Sequence, residues 1–313
     1  MGHDWLTANS LAVEMSTPQS DVANFDGQVR YRTMTVGRIE VFYREAGRRE
    51  APVILLLHGF PTSSHMFRDL IPLLAPHYRV IAPDYPGYGL STASPSSGFN
   101  YSFDSLADVI EQFAEAIGLD RYALYMQDFG GPVGFRIAAR RPERITALIV
   151  QNANAYEEGL APAMDAARPA WERRSSETEA TLRAFLTLDT TRFQYLHGAR
   201  DPSRVSPDAW LHAQAGLDRS GNDEIQLSYL HDYGANVRQY PVWQAYLRDY
   251  KPPMLIVWGA NDPFFTVAGA RAYQRDLADC ELHLFEAGHF ALEEEASAIA
   301  LLMLDFLKRR LVT

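Results

Sequence analysis

Cysteine is almost missing from this chain: its 313 residues contain one, Cys280. A single thiol cannot close an internal disulfide, which excludes a disulfide scaffold and predicts a reducing, cytoplasmic setting. Positive charge is also short. Lys and Arg number 29 against 39 Asp and Glu, a net charge of -10, so neither nucleic acid nor an anionic membrane is an expected partner. No apolar run is long enough to span a bilayer. The opening "MGHDWLTANSLAVEMSTPQS" has no basic head and no long apolar stretch, so it does not read as a signal peptide. Residues 1–29 are expected to form a poorly ordered leader. The histidines show no tight spacing with Cys or Asp, which argues against a metal site. Gly-rich phosphate loops are missing too: "GYGLS" (87–91) has no lysine, and "DFGGPVG" (128–134) lacks the glycine register of a dinucleotide fold. No cofactor is expected.

What is present is apolar and alternating. Hydrophobic residues make up 47% and charged residues 22%, enough for a sizeable core. Over residues 30–155, "VILLLHGF" (53–60), "YRVIAPD" (78–84), "YALYMQD" (122–128) and "ITALIVQN" (145–152) read as strands. Continuous apolar runs bounded by turn residues suit parallel strands covered on both faces. "FDSLADVIEQFAEAIG" (103–118) has helical spacing and ends on a glycine that predicts a C-cap. Upstream, "YRTMTV" and "IEVFYREAG" predict an antiparallel entry pair. From 156 to 248 strand signals vanish, and "PAWERRSSETEATLRAFLTL", "PDAWLHAQAGLD" and "DEIQLSYLHDY" predict helices. Alternation resumes over 249–313 with "PPMLIVWGAND" and "CELHLFEAGH". The expected architecture is a doubly wound, mostly parallel α/β sheet (30–155 and 249–313) carrying an inserted helical cap (156–248).

Asp128 stands where an apolar run stops, and Gly130, Gly131 and Gly134 follow it into the helical "PVGFRIAARRP". Two readings apply: an aspartate that N-caps the helix, or a nucleophile on a sharp strand–turn–helix elbow. Two later residues favour the second. Asp262 sits just past the run "LIVWG" and His289 just past "HLFEAG", giving the chain order nucleophile, acid, base. Three such groups at successive strand ends are a poor coincidence.

The chain resembles the α/β-hydrolase superfamily, and within it the aspartate-nucleophile branch of epoxide hydrolases and haloalkane dehalogenases. The matching stretches are "HGFPTSSHMFRDLIPLL", "RVIAPDYPGYGLS", "QDFGG", "WGANDPF" and "AGHF", which run through the core from end to end. The resemblance implies that Asp128 attacks an sp³ carbon to give an ester, which water activated by His289 and Asp262 then hydrolyses. It places the oxyanion hole at the backbone N–H groups of Phe60 and Phe129. It also leaves Glu157 or Glu158 as a substitute acid, although the strand–turn context of Asp262 is cleaner. His58 is expected to be a structural hydrogen-bonder, and Arg200 and Arg204 to be surface or salt-bridged.

Two leaving groups compete. Halide binding needs N–H donors, and dehalogenases of this branch place a Trp directly after the nucleophile; this chain has Phe129 there and Phe60 after the His-Gly pair. Trp210 or Trp243 would have to substitute. Epoxide opening needs acidic hydroxyls from the cap, for which Tyr233 and Tyr195 are expected. Gln127, Met126 and "PTSS" resemble dehalogenases instead. The missing N–H donors favour an epoxide hydrolase, with haloalkane dehalogenase as the alternative. Asn152 and Asn154 are expected to line the pocket, and the cap aromatics Trp171, Phe185, Phe193, Trp210 and Trp243 to make it apolar. The expected partners are a small apolar substrate and water, and the sequence is compatible with a homodimer. The fold also hosts ligand receptors and cofactor-free oxygenases, so a non-hydrolytic role stays open.

Overall fold

The computed structural model describes residues 28–94 and 97–311. All but two residues of the expected leader therefore lie outside the described chain. Among the described residues nine strands form one sheet: β1 (Arg30–Val36), β2 (Ile39–Ala46), β3 (Val53–Leu57), β4 (Arg79–Pro83), β5 (Thr92–Ala93), β6 (Tyr122–Gln127), β7 (Ile145–Gln151), β8 (Met254–Gly259) and β9 (Glu281–Phe285). Their order is β1-β2-β4-β3-β6-β7-β8-β9, with β5 pairing β2. From β4 to β9 neighbouring strands are parallel, while β1 and β2 form the expected antiparallel entry. The two-residue β5 carried no signal in the sequence.

Among the described residues the α-helices are α1 (Leu70–Leu74), α2 (Phe103–Ala116), α3 (Gly130–Arg140), α4 (Arg168–Glu172), α5 (Ser176–Arg183), α6 (Leu188–Leu196), α7 (Pro207–Leu217), α8 (Asn222–Tyr250), α9 (Val267–Asp276) and α10 (Leu292–Arg310). Strand alternation sorts the core into two clusters. Leu55, Leu57, Leu124 and Met126 face α2, α3 and α9, while Ile54, Leu56, Ala123 and Tyr125 face α1 and α10. Both faces are covered, which is why the strands read as unbroken apolar runs.

Topology fixes where a site can form. β4 lies on one side of β3 and β6 on the other, so the direction of chain growth reverses there and opens a crevice at the strand C-termini. Phe60 and Asp128 follow the two strands flanking that crevice. Between β7 and β8 the chain is helical, forming the cap. One expected helix, 169–188, is two. Ser175 accepts from the Thr178 N–H in a capping box that restarts the chain as α5, and such a cap competes with helix continuation. α8 is longer than expected, 29 residues, and runs through Pro241 to Tyr250. Gly234 lets α8 meet α4, since a Cβ there would collide with Trp171. Among the described residues no helix is long and apolar enough to cross a membrane.

Candidate active site

Asp128 has φ of 49°, a left-handed conformation that a non-glycine residue adopts only under constraint. The turn reverses the chain from β6 into α3, and a Cβ at Gly130 would run into the Leu57 carbonyl. The strain aims the Asp128 carboxylate at the crevice. Its Oδ1 accepts the Phe60 N–H at 2.7 Å, and the Phe129 N–H also bonds the carboxylate. Both expected oxyanion-hole groups thus converge on one carboxylate. Burial pushes the Asp128 carboxyl up to about 6, opposed by His289 and the two N–H groups.

His289 stands 3.7 Å from Asp128 Oδ2 through Nε2. Its Nδ1 lies 2.8 Å from Asp262 Oδ2. A carboxylate can only accept, so Nδ1 carries the proton and Nε2 presents its lone pair. Gln127 agrees: its amide nitrogen is 3.0 Å from His289 Nε2 and donates there. Burial opposes the imidazolium, but the charges of Asp262 and Asp128 outweigh it, and His289 is raised above its usual value.

Asp262 is fully engaged. Oδ1 accepts the N–H groups of Phe264 at 2.8 Å and Phe265 at 3.2 Å, while Oδ2 also accepts the Asn152 amide at 2.8 Å. Asn152 itself has φ of 42° and brackets Gly259, donating to its carbonyl at 3.1 Å and accepting its N–H at 2.9 Å. The Glu157 and Glu158 alternative is removed: both are exposed and paired with Arg168 and Arg275. His58 is structural as expected, bridging Gly59 O at 3.1 Å and the Tyr85 N–H at 3.1 Å. Burial lowers it to about 4. Arg200 pairs with Glu295 at 2.9 Å, and Arg204 meets the Glu294 carbonyl at 3.4 Å.

A cavity of about 40 Å³ opens over Asp128 and His289, walled by Phe60, Phe129, Phe264, Phe265 and cap residues including Met164, Trp171, Phe185, Gln194 and Tyr233. Tyr233 is where the sequence put it. Several other expected pocket residues are not. Tyr195 turns away, stacks on Phe290 at 4.0 Å and bonds Thr62 through its hydroxyl. Trp243 is fully buried against Phe135 at 5.4 Å, below the Arg136 guanidinium. Trp210 packs on the cluster containing Tyr195 and Phe290. Asn154 does not wall the cavity; its amide donates to Tyr156 O at 2.7 Å and to the Tyr240 hydroxyl at 3.2 Å. Asn152 likewise serves Asp262 rather than the pocket. Gln194 was missed. Nothing in the sequence distinguished its helix face from that of Tyr195.

Residues 52–296 match the model of the alpha/beta hydrolase fold family. The chain belongs to that family. The hydrolase is 43% identical over 266 residues to an uncharacterized hydrolase of Saccharomyces cerevisiae, covering 84% of this chain and 91% of the relative. It is 30% identical over 247 residues to a haloalkane dehalogenase of Mycolicibacterium paratuberculosis, covering 72% of each. The crystal structure of haloalkane dehalogenase DbeA from Bradyrhizobium elkani USDA94 superposes with a TM-score of 0.72 at 24% identity, over 90% of this chain and 100% of that one. That last likeness is one of fold. The hydrolase thus lies in the dehalogenase-like branch of the superfamily.

Proposed function

We propose that Asp128 is the nucleophile and that the hydrolase opens small epoxides through a covalent ester. The observation carrying this reading is that Tyr233 walls the same cavity as Asp128 and His289, while both core positions that would hold a halide are phenyl rings. Asp128 Oδ2, the oxygen not held by Phe60, attacks an epoxide carbon in line. Oδ1, which accepts the Phe60 N–H, becomes the ester carbonyl oxygen, and that N–H together with the Phe129 N–H is the pair proposed to stabilise it when water adds. His289 Nε2 takes the proton of that water, and Asp262 stabilises the resulting imidazolium.

Ring opening needs a proton on the departing oxygen. Burial holds the Tyr233 hydroxyl well above its usual range, so it is protonated at any working pH. It bonds the Tyr240 hydroxyl, into which Asn154 donates. Protonation of the substrate by Tyr233 requires Tyr240 to be the donor of this pair, which leaves the Tyr233 proton for the cavity. Tyr233→Phe is expected to lower epoxide kcat/KM by at least about 100-fold, read by diol formation. A loss below fivefold would remove Tyr233 as the acid.

Size narrows the substrate. An apolar cavity of about 150 Å³ accepts benzene, and this one is about 40 Å³. Small aliphatic epoxides fit better than aryl epoxides. A second reading, haloalkane hydrolysis, is favoured by Trp171, whose ring lies 5.2 Å from that of Tyr233 in the cavity wall and carries an indole N–H. A panel of aliphatic epoxides and terminal haloalkanes separates the two. Diol without halide is the expected result; halide without diol would replace the first reading with the second.

The pH profile follows from Asp128. Only its ionised form attacks, so kcat/KM rises with pH through about 6 instead of near 4, the ordinary aspartate range. In His289→Gln the alkylation limb moves to higher pH, because the imidazole charge that favours the carboxylate is gone. A limb unmoved from about 4 would contradict the burial of the nucleophile.

A further inference from the structure

The lone pair that His289 must offer to water is already taken. Gln127, the last residue of β6, is fully buried, and its amide nitrogen lies 3.0 Å from His289 Nε2. With Nδ1 carrying the proton toward Asp262, the amide is the donor and Nε2 the acceptor. A neutral imidazole has one such lone pair, so Gln127 and the hydrolytic water claim the same atom. The amide is also held from behind. A Cβ at Gly59 would fall 2.7 Å from its oxygen, so the loop that brings the Phe60 N–H to Asp128 closes on Gln127 as well. Among the described residues the charged groups acting on the ring are Asp262, at Nδ1, and Asp128, 3.7 Å from Nε2. Uncharged rings of Phe264, Phe265 and Phe290 pack around it. Both carboxylates favour the imidazolium and raise His289 above its usual value, yet an imidazolium cannot take a proton from water. The Gln127 amide acts against them, since a hydrogen bond to the neutral form disfavours the charged one.

We propose that Gln127 is a positioning residue for the hydrolysis step, which keeps His289 as a free base and releases its lone pair when water arrives. The inference rests on the reading of Asp128 as nucleophile and His289 as base. The two hydrogen bonds on the ring are unequal, and the inequality sets the order of events. The bond to Asp262 is charge-assisted, while the bond from Gln127 is neutral and weaker. Entering water displaces the weaker partner, and Asp262 keeps hold of the ring. The water O–H then meets Nε2, and its proton passes there as its oxygen adds to the ester carbonyl carbon. Collapse gives the alcohol, which takes that proton back from Nε2, and the Asp128 carboxyl. For an epoxide, ionisation of that carboxyl restores the proton that Tyr233 gave. Ester formation needs no step from Gln127.

The test separates the two steps in the full chain. Ester is formed with 1,2-epoxybutane or 1-chlorobutane, and its decay is followed by protein mass in double-mixing rapid quench between about pH 5 and about pH 9. Gln127→Met removes the donor at similar length. Gln127→Glu keeps the shape but puts an acceptor against Nε2. The decay rate rises with pH as His289 loses its proton. That rise is expected to move to higher pH by about half a unit in Gln127→Met and by about one unit or more in Gln127→Glu. At about pH 6 decay is then slower by about threefold and about tenfold, and at about pH 9 it approaches the parent. Ester formation by Gln127→Met stays within about threefold of the parent. A structural role alone slows decay by one factor at every pH, and a rise left unmoved in this way overturns the proposal while the reading of Asp128 stands. So does a rise that moves to lower pH in Gln127→Met, the sign of an amide oxygen accepting from an imidazolium. Should Gln127→Met fold poorly, Gln127→Glu decides alone. No ester from either compound overturns the reading of Asp128 and the proposal with it.

Discussion

His289→Gln is expected to stop the cycle after one turnover and leave the protein heavier by one substrate. Alkylation needs only the Asp128 carboxylate, its two N–H donors and the Tyr233 proton, none of which the substitution removes. Hydrolysis needs a base at the ester, and the only imidazole beside Asp128 among the described residues is His289, at 3.7 Å from Oδ2. Steady-state turnover should fall about 1,000-fold or more. The added mass also identifies the leaving group. Epoxide opening adds the whole epoxide to the protein, since the departing oxygen stays attached. A haloalkane adds its alkyl group and loses hydrogen halide. Intact-protein mass spectrometry after incubation with each compound distinguishes the two. Asp128→Ala should show no adduct with any of them. Sustained turnover by His289→Gln with no adduct would remove the covalent mechanism.

Asp128, His289 and Asp262 were legible in the sequence because each is announced locally. A buried strand, a tight turn and a following helix or loop are written in contiguous residues, and the parallel sheet brings the strand ends together. The Phe60 and Phe129 N–H groups on the Asp128 carboxylate are legible for the same reason, since backbone position follows from the strand end whatever the side chain. The cap is different. Its helices are visible as helices, but which face meets the cavity depends on how they dock. Tyr195 and Gln194 are adjacent, so about 100° of helix separates them. The aromatic tyrosine was the natural choice for the pocket, yet the docking of α6 gives it to Phe290 and Thr62 and puts Gln194 in the cavity wall. Trp243 fails similarly: on α8 it lies on the face that packs Phe135, whereas Tyr233 on the same helix faces Asp128. Asn152 was placed near the site for the wrong reason. Its left-handed φ and its two bonds to Gly259 make it a brace for Asp262, a role set by contacts between residues more than a hundred apart in sequence.

That brace sets up the second large effect. Asp262→Asn should lower kcat by about 10³- to 10⁴-fold and destabilise the fold as well. Every neighbour of this carboxylate is a donor: the Phe264 and Phe265 N–H groups on Oδ1, and the Asn152 amide and His289 Nδ1 on Oδ2. An asparagine must place its own N–H₂ against one of these two pairs. Against Phe264 and Phe265 it leaves two backbone N–H groups unpaired in the interior, costing roughly 1–3 kcal/mol each. Against His289 it forces the proton from Nδ1 to Nε2, which removes the lone pair that must accept from water. Either orientation impairs hydrolysis, while the Asp128 carboxylate and its N–H pair remain in place for alkylation. Rapid-quench kinetics should therefore show one equivalent of ester formed quickly and hydrolysed slowly, with a lowered melting temperature. Glu157→Gln, an exposed position away from the site, supplies the control and should stay within about twofold of the parent. An Asp262→Asn protein with kcat within tenfold of the parent would show that His289 does not depend on this carboxylate for its orientation.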